Sequence, residues 1–329
     1  MTVLVTGGAG YVGSHTVKQL TACGARAVVL DTLEQGHPEL VRCAELIVGD
    51  VADGARLDEV FARHSIDAVM HFAAYASVEE SVRRPVRYWR NNVDATRTLL
   101  EAMVRASVGR IVFSSSCATY GVPERLPLVE EHPQRPVNPY GETKVAVERM
   151  LADFERDHGL RSVVFRYFNA AGADPEGEIG EWHDPETHLI PLVLDAALGR
   201  REAVSVFGTD YPTQDGTCIR DYIHVSDLAD AHVLGLAHLE AGNSSDAFNL
   251  GNGTGFSVRQ VLSTAGRATG RAIPHRDAPR RAGDPPALVG SAAKARRVLG
   301  WIPRHGDLEA IVATAWRWHR HLRSDQARS

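Results

Sequence analysis

Residues 2–13 read TVLVTGGAGYVG, a short apolar run that leads directly into glycines at positions 7, 10 and 13. The run predicts a buried strand, and the apolar periodicity that follows over residues 12–23 predicts a helix. Glycines at this spacing let the chain turn sharply and let a pyrophosphate approach the positive N-terminus of that helix. The stretch therefore predicts the first strand, turn and helix of a dinucleotide-binding fold.

Acidic residues after the next two strands predict which dinucleotide is bound. Asp31 ends the second predicted strand, 18 residues beyond Gly13, where such folds place the carboxylate that binds the ribose 2′-hydroxyl. A carboxylate there would repel a 2′-phosphate, so we expect NAD rather than NADP. The alternative is that Asp31 only caps the following turn. Asp50 and Val51, after the third strand, are expected beside the adenine.

The order of predicted elements indicates the fold class. Short apolar runs alternate with helical patterns through the first 170 residues, which predicts an α/β fold with a doubly wound, Rossmann-type parallel sheet. The predicted strands are residues 3–6, 27–30, 46–48, 68–71, 110–114 and 162–167, and the helices are 12–23, 57–63, 87–106 and 140–157.

A change of texture after residue 170 predicts a second, smaller unit. Residues 170–188 are rich in Gly, Pro, Asp and Glu and are expected to form an ordered loop. Beyond them we predict helices at 191–198 and 225–239 and strands at 204–207 and 247–250. We therefore expect an NAD-binding domain over 1–170, with returns around 220–250, and a smaller α/β substrate domain over 171–329.

The composition excludes several classes of protein. The 329 residues carry 36 Lys and Arg against 41 Asp and Glu, a net charge of −5, and 44% are hydrophobic. No basic stripe suggests a nucleic-acid surface, and no apolar run approaches the ~18 residues that a membrane span needs. The first strand begins at residue 2 without a charged leader, so we expect a cytoplasmic protein that binds neither nucleic acid nor membrane.

The cysteine and histidine patterns predict neither disulfides nor a metal. The cysteines are scattered, at positions 23, 43, 117 and 218, which indicates free thiols in a reducing compartment. His183 and His188 flank Asp184 and Glu186. Because Pro185 interrupts any helix that would align these side chains, we expect no metal site there.

A tyrosine and a lysine predict the reactive centre. Tyr140 and Lys144 are four residues apart in a predicted helix and so share one face. A phenol with a pKa near ~10 is a poor base at neutral pH, and a neighbouring cation favours the phenolate. A strand that ends in serines at 114–116 could bring a hydroxyl beside the phenol. A surface pair is the alternative for Tyr140 and Lys144 alone.

With these motifs together, the chain resembles the extended short-chain dehydrogenase/reductase family over nearly its whole length. Within that family it most resembles the enzymes that interconvert UDP-galactose and UDP-glucose. The segments that carry the resemblance are 7–13, HFAA at 71–74, NNV at 91–93, 114–121, PYGETK at 139–144, RYFN at 166–169 and FGTDYPTQDGTCIRDYIHV at 207–225.

The resemblance implies a role for each matching residue. Tyr140 would be the general base on the sugar 4′-hydroxyl, Lys144 would bind the nicotinamide ribose and lower the Tyr140 pKa, and Ser116 would bond the same hydroxyl. The implied cofactor contacts are Gly7, Gly10, Tyr11, Val12, Gly13, Asp31, Asp50, Val51, Phe72, Ala73, Ala74, Asn92, Ser114, Tyr140, Lys144 and Tyr167. The implied substrate contacts are Ser116, with Asn169, Arg220 and Arg281 at the diphosphate and Leu189, Val204, Phe207, Tyr222 and Asp284 at the uridine.

The implied activity is that of an isomerase of carbohydrate metabolism. Bound NAD would oxidise the hexose transiently at C4′ and return the hydride to the opposite face. Family members pair the helices predicted at 87–106 and 140–157 across a homodimer axis, and burial in the core is the alternative for the same pattern. Ala76 stands where some relatives carry a lysine near the cofactor phosphates, and Leu288 stands beside the sugar 2′-substituent.

Three other functions are weighed against this one. A 4-epimerase of UDP-N-acetylhexosamine or of a UDP-pentose would use the same motifs. A sugar-nucleotide 4,6-dehydratase needs an acid–base pair after the serines, where Cys117 and Ala118 stand instead. A non-catalytic NAD-sensing protein would have no reason to keep Ser116, Tyr140 and Lys144 together with a diphosphate clamp.

Overall fold

The computed structural model describes residues 1–281 and 284–326. Its strands, in chain order, are β1 (Thr2–Thr6), β2 (Arg26–Asp31), β3 (Glu45–Val48), β4 (Ala68–His71), β5 (Arg110–Ser114), β6 (Arg161–Tyr167), β7 (Asn169–Ala171), β8 (Val204–Phe207), β9 (Ile219–Arg220), β10 (Tyr222–His224), β11 (Asp246–Leu250), β12 (Phe256–Ser257), β13 (His275–Ala278) and β14 (Ala287–Leu288). The helices are α1 (Tyr11–Ala22), α2 (Gly54–Arg63), α3 (Val78–Arg83), α4 (Pro85–Tyr88), α5 (Ala95–Arg105), α6 (Pro139–His158), α7 (Leu189–Ala197), α8 (Val225–Glu240), α9 (Val258–Thr269), α10 (Ala293–Leu299) and α11 (Leu308–Gln326).

A parallel sheet organises the described part of the chain. Its strand order is β11-β6-β5-β4-β1-β2-β3. The chain runs outward from β1 to β3 and then returns to lay β4 on the other side of β1. That reversal leaves a crevice beyond the carboxyl ends of β1 and β4, which is where open α/β sheets bind ligands. The predicted doubly wound, Rossmann-type fold is confirmed.

Alternate residues of the strands build two cores, one on each face of the sheet. Val3 and Val5 of β1 pack with Val17 of α1 and Leu228 of α8 on one face. Leu4 of β1 faces the other way and packs with residues of α2, α5 and α6. Because helices cover both faces, the strands read as continuous apolar runs rather than alternating patterns.

A third core lies in the second half of the chain, apart from the sheet. Helices α7, α9 and α11 bury residues such as Leu194, Val261 and Ile311 against β8 and its parallel partner β13. Short strands β9, β12 and β14 form a small sheet, and β7 pairs with β10. None of the helices in the described ranges combines the length and apolar character that crossing a bilayer requires.

The helix predicted at 87–106 is present and continuous, but its hydrogen-bonding pattern changes in the middle. Helix α4 passes through a π-helical segment, Trp89–Asp94, before α5 begins. Asn92 lies within this segment, and the Thr96 hydroxyl donates to the Asn92 carbonyl at 2.6 Å. Such π-helical turns recur at functional sites because they re-aim one side chain, and here the side chain is that of Asn92.

A buried ion pair fixes α6 to the sheet. The Arg166 guanidinium on β6 donates to the Glu148 carboxylate on α6 at 2.6 and 3.1 Å, and both side chains are about nine-tenths buried. Glu148 also accepts from Ser115, just after β5, and from Gln134. These contacts hold α6 against the carboxyl ends of two neighbouring strands.

We expect Arg166→Met to lower the free energy of unfolding by about 3–5 kcal/mol, because it leaves the buried Glu148 carboxylate without its cation. Urea unfolding followed by circular dichroism measures the change. The matched control is Arg156→Met, since the exposed Arg156 pairs with Asp153 and Asp157 at the surface and should unfold like the wild type. Equal stability of the two variants would contradict the anchoring role.

Candidate active site

The glycine turn after β1 has the shape of an anion-binding cradle. Gly7 has a φ of 72°, and a Cβ there would lie 2.5 Å from the Ala73 nitrogen. A Cβ on Gly13 would lie 2.2 Å from the Gly7 carbonyl oxygen, so neither position accepts a side chain. Helix α1 begins after Gly10 with no side-chain cap and no acidic residue in its first turn. Its first N–H groups are therefore free of a side-chain acceptor and suited to a pyrophosphate.

Asp31 lies beside this turn and is nearly buried. Its carboxylate accepts from the Ala9 nitrogen and from the Leu33 nitrogen, each at 2.9 Å. The turn-capping contact considered from the sequence is therefore real. Each carboxylate oxygen keeps a second lone pair, so a bond to a ribose hydroxyl is compatible with both contacts, and that bond stays a prediction.

The remaining residues expected around the dinucleotide differ in how much of them a ligand can reach. Asp50 is exposed and accepts from the Ala52 nitrogen at 2.8 Å, whereas Val51 is buried in the core. The chain leaving β4 continues past Gly7, where the Phe72 nitrogen donates to the Thr6 carbonyl at 2.9 Å. The segment that follows β4 therefore forms one wall of the crevice, and its backbone lies beside the glycine turn.

Four further residues expected at the cofactor are partly buried: Val12, Phe72, Ala73 and Ala74. Tyr11 is buried, and its hydroxyl donates to the Gly172 carbonyl at 2.6 Å. The Tyr11 side chain therefore ties α1 to the second half of the chain, which leaves its backbone N–H as the group for a cofactor.

Asn92 connects the cofactor wall to the catalytic helix. Its amide oxygen accepts from the Tyr75 nitrogen at 2.9 Å, and its amide nitrogen donates to the Tyr75 carbonyl and to the Thr143 hydroxyl. The protein itself thus occupies both ends of the amide. The structure favours a positioning role for Asn92 over the direct cofactor contact that the resemblance implied.

Helix α6 brings Tyr140 to Ser116 through its own N-terminus. The Asn138 side chain caps the helix by accepting from the Gly141 nitrogen at 2.9 Å. A Cβ on Gly141 would lie 2.5 Å from the Ala118 carbonyl, so the first turn packs directly on the segment after β5. In that packing the Ser116 hydroxyl lies close enough to the Tyr140 phenol to lower the pKa of the phenol, and it accepts from the Ala118 nitrogen at 3.1 Å.

Lys144 lies one turn further along α6, buried beneath the phenol. Its Nζ donates to the Ser114 carbonyl at 2.8 Å and lies 5.8 Å from the centroid of the Tyr140 ring. The Ser114 hydroxyl in turn lies 2.6 Å from the Tyr167 hydroxyl. The structure therefore brings together Ser114, Ser116, Tyr140, Lys144 and Tyr167, all of them predicted from the sequence.

The electrostatics of this group correct one expectation. Burial raises the pKa of Tyr140 above its ordinary value, the neighbouring Tyr167 adds to the rise, and the Ser116 hydrogen bond opposes it. Burial also lowers the pKa of Lys144 to about 7, against the opposing effect of Glu148. The expected lowering of the Tyr140 pKa is therefore not found, because burial of the phenol has the largest effect.

The residues expected to clamp a diphosphate gather around one loop. The Arg220 guanidinium donates to the Pro285 carbonyl at 3.0 Å and lies 3.2 Å from the Asp284 carboxylate. Arg281 is exposed and lies 3.9 Å from the centroid of the Phe207 ring. Two guanidinium groups thus face this region, and Asp284, expected at the uridine, balances the charge of one of them.

Not every residue expected at the substrate faces a ligand. Val204 and Tyr222 are about 2% and 5% exposed, respectively, and both side chains pack in the third core. Strand alternation turns Val204 inward on β8, and the substrate contacts of Val204 and Tyr222 stay predictions. Phe207 has the opposite orientation on β8, Leu189 is partly buried at the start of α7, and Asn169 donates to the Asp221 carbonyl at 3.0 Å.

Two carboxylates that organise this end of the sheet escaped the sequence analysis. Buried Asp221 accepts from the nitrogens of Asn252, Gly253 and Gly290, and burial raises its pKa to about 6 against those hydrogen bonds. Glu148 had a usable signal, since it lies four residues after Lys144 on the same helix. Asp221 had none, because its partners come from distant parts of the chain.

The sequence-based argument against a cluster around His183 is wrong in its geometry. Potential ligand atoms of Glu181, His183, Glu186 and His188 lie within 4.8 Å of one another. Pro185 excludes a helix, as expected. The loop brings the four side chains together without one.

A doubly wound sheet, a glycine turn at its switch point and a Ser–Tyr–Lys group together define a nucleotide-dependent enzyme of the short-chain dehydrogenase/reductase class. Residues 3–251 match the model of the NAD dependent epimerase/dehydratase family. The chain belongs to this family.

Individual relatives are similar over almost the full length. The chain is 53% identical to the UDP-glucose 4-epimerase of Halalkalibacterium halodurans, over 97% of this chain and 96% of that one. It is 55% identical to that of Rhizobium meliloti, over 96% of each. Among solved structures, the UDP-glucose 4-epimerase of Brucella ovis in complex with NAD superposes with a TM-score of 0.94 at 52% identity, covering 96% of this chain and 97% of that one.

Proposed function

We propose that this chain is an isomerase that interconverts UDP-galactose and UDP-glucose with bound NAD. The observation that carries the proposal is the grouping of Tyr140, Ser116 and Lys144 at the end of a sheet whose glycine turn is shaped for a dinucleotide: Lys144 Nζ lies 5.8 Å from the centroid of the Tyr140 ring, and the nearby Ser116 hydroxyl lowers the pKa of the phenol. Relatives that share half of the sequence over nearly the whole chain are UDP-glucose 4-epimerases, and a neighbouring structure holds NAD.

The residues of the chain divide the work with the cofactor. When bound, the cofactor would supply reversible hydride chemistry at C4′, and its oxidised form would bring a positive charge to the site. Tyr140 takes the proton of the 4′-hydroxyl as that bond breaks and gives it back as the bond re-forms. Ser116 orients both hydroxyls, and Lys144 holds the ribose.

Inversion requires that the hexose turns over while the nucleotide stays in place. Arg220 and Arg281 are suited to hold the diphosphate, because guanidinium groups bind phosphate oxygens in pairs. The Arg220 guanidinium contacts the Asp284 carboxylate, and the Arg281 guanidinium lies over the Phe207 ring. Binding energy placed on the nucleotide leaves the sugar free to present either face.

The alternative activities fit these residues less well. Burial raises the pKa of the Cys117 thiol to about 12, so it cannot supply the acid–base step of a 4,6-dehydratase near neutral pH. A non-catalytic NAD sensor does not account for a phenol, a serine and a buried lysine in contact. An epimerase of N-acetylated hexoses or pentoses uses the same chemistry and differs only in the sugar pocket.

We further propose the arrangement of domains and subunits expected from the sequence. Residues 1–170, with the returning segments around 220–250, would bind NAD, and residues 171–329 would bind the UDP-sugar. Exposed Ala76 supplies no charge to the cofactor phosphates, which favours looser retention of NAD. A homodimer is supported by the exposed Val82, Val86 and Trp89 beside α5. Unpaired cysteines are consistent with a cytoplasmic location.

We expect Tyr140→Phe to lower turnover of UDP-galactose by about 10²–10⁴-fold, while the affinity for UDP stays within a factor of about three because the nucleotide contacts remain. A coupled assay of UDP-glucose formation without added NAD measures turnover, and calorimetry measures UDP binding. Tyr75→Phe, which removes only a surface hydroxyl bonded to Glu34, is the control. Undiminished turnover in Tyr140→Phe would overturn the proposal.

We expect Leu288→Tyr to lower the ratio of N-acetylated to plain hexose turnover by about tenfold or more. Leu288 is partly buried and lies in register with Arg220 on the neighbouring strand, so a larger ring reduces the space beside the diphosphate clamp. Turnover of UDP-N-acetylglucosamine and UDP-glucose by each protein gives the ratio. Leu288→Met conserves volume and should leave it unchanged. An unchanged ratio in Leu288→Tyr would show that Leu288 does not determine which sugar is accepted.

We expect the solution mass of the protein to be twice that of the chain and Trp89→Glu to reduce it, because a buried charge opposes an apolar interface. Light scattering over a range of concentrations measures both. Val48→Glu places the same charge at an exposed apolar position on β3 and serves as the control. A monomeric wild type, or equal masses of the two variants, would refute the proposed interface.

A further inference from the structure

The loop that leads from β7 to α7 carries a group of side chains that the proposed reaction does not use. Glu181, His183, Glu186 and His188, here called the His–Glu cluster, come from eight consecutive residues. Each offers an atom that can ligate a cation, and these atoms lie within 4.8 Å of one another. Two imidazoles and two carboxylates form the mixed nitrogen and oxygen set that Zn²⁺ and related cations take.

The distances between nitrogen and oxygen atoms of the cluster can be compared with those between the ligand atoms of one bound cation. His188 Nδ1 lies 2.7 Å from Glu181 Oε1 and 3.3 Å from Glu186 Oε1. His183 Nδ1 lies 3.3 Å from Glu181 Oε1 and 3.6 Å from Glu186 Oε2. Bonds of 2.0–2.2 Å in a tetrahedral site separate neighbouring ligand atoms by roughly 3.3–3.5 Å. Three of the four distances are close to this spacing, and the 2.7 Å contact between His188 and Glu181 would lengthen if a cation bound between them.

Hydrogen bonding within the cluster is incomplete, which is the second observation. Glu181 Oε1 and His183 Nδ1 are both buried from solvent, and neither takes part in a hydrogen bond of acceptable direction. Glu181 as a residue is about 7% exposed. Their contacts are ion pairs at 2.7–3.6 Å rather than well-directed hydrogen bonds, and a poorly directed contact offsets less of the cost of burying a polar atom. A cation at the shared point would satisfy both atoms at once.

The surroundings hold the cluster in place. Glu186 Oε1 accepts from the nitrogens of Thr187 and His188 at 2.7 and 2.8 Å, which orients its carboxylate. The Trp318 indole on α11 donates to the Glu181 carbonyl at 2.9 Å. The site is therefore built from fixed groups, as outer contacts around metal ligands usually are.

We propose that the His–Glu cluster binds one divalent transition cation of the Zn²⁺ type. The cation would cross-link the loop at the junction of the two halves of the chain. The His183 ring stands edge-on to Tyr11 at the start of α1, with ring centroids 6.2 Å apart, and Trp182 stacks on His37 at 3.7 Å. Binding would therefore stiffen a loop that lies against the first turn of α1.

Protons alone offer a competing explanation. Burial lowers the pKa of both imidazoles, but the two carboxylates outweigh it and raise the pKa of His183 to about 9 and that of His188 to about 10. Two protonated histidines and two carboxylates have no net charge, and neither have two neutral histidines, two carboxylates and one divalent cation. Such a cluster would bind no cation at neutral pH, so a binding measurement separates the two explanations.

A nearby acidic cluster provides the matched control. Asp174, Glu176 and Glu178 also lie close together, but the Lys18 ammonium contacts all three at 2.8–3.1 Å. A fixed ammonium takes the place that a cation would need. Glu176→Gln therefore changes one carboxylate of the same loop without altering the proposed site.

The experiment uses full-length protein without an affinity tag, treated with a chelator and dialysed. Co²⁺ is added, and the visible bands of tetrahedral Co²⁺ are followed; Zn²⁺ is then added in competition. We expect one Co²⁺ per chain, displaced by Zn²⁺, and affinity at least tenfold lower in His183→Gln and in Glu186→Gln. Glu176→Gln should bind like the wild type.

Two results would overturn the proposal: no Co²⁺ or Zn²⁺ bound by the wild type in calorimetry, or binding undiminished in both His183→Gln and Glu186→Gln. Circular dichroism establishes that each variant is folded, and Zn²⁺ should raise the melting temperature of the wild type but not of His183→Gln. Epimerase turnover is measured separately, so failure of the cation site and failure of the proposed function are distinguishable.

Discussion

The hydrogen bond from Lys144 Nζ to the Ser114 carbonyl is the contact on which the active site depends. It joins α6 to the end of β5 through a lysine that is buried from solvent. An amine there loses most of its hydration, which is why burial lowers the pKa of Lys144 to about 7. The Glu148–Arg166 pair, one turn further on, holds the same helix against β6. Lys144 and Glu148, four residues apart on the same face of α6, therefore both fix this helix to the sheet.

This arrangement separates what the protein provides from what the cofactor must add. Desolvation raises the pKa of Tyr140, so the phenol is a weak acid in the protein by itself. A positive charge beside it would favour the phenolate. Under the proposed function, the positive charge of bound NAD⁺ would therefore oppose the effect of burial on the Tyr140 pKa.

The sequence predicted the parts of the molecule that follow local rules. Alternating apolar runs and helical periods determine a doubly wound sheet, and the glycines at 7 and 13 are required by contacts with Ala73 and with the Gly7 carbonyl. Features that depend on distant partners were missed or wrong. The π-helical segment was not predicted, and the Asn92 side chain within it contacts Tyr75 and Thr143 from other parts of the chain. The inward orientation of Val204 depends on strand register, and the His–Glu cluster depends on the course of a loop that no helical period describes.

Strand β11 has a consequence for the chain as a whole. It enters the sheet beside β6 only after the polypeptide has built β7 to β10 and α7, while α8 covers the same sheet face as α1. A fragment that ended near residue 170 would leave the edge of β6 that faces β11 unpaired and an apolar surface uncovered. The two halves are therefore interwoven rather than joined end to end, and neither could be exchanged for a foreign counterpart by a single splice.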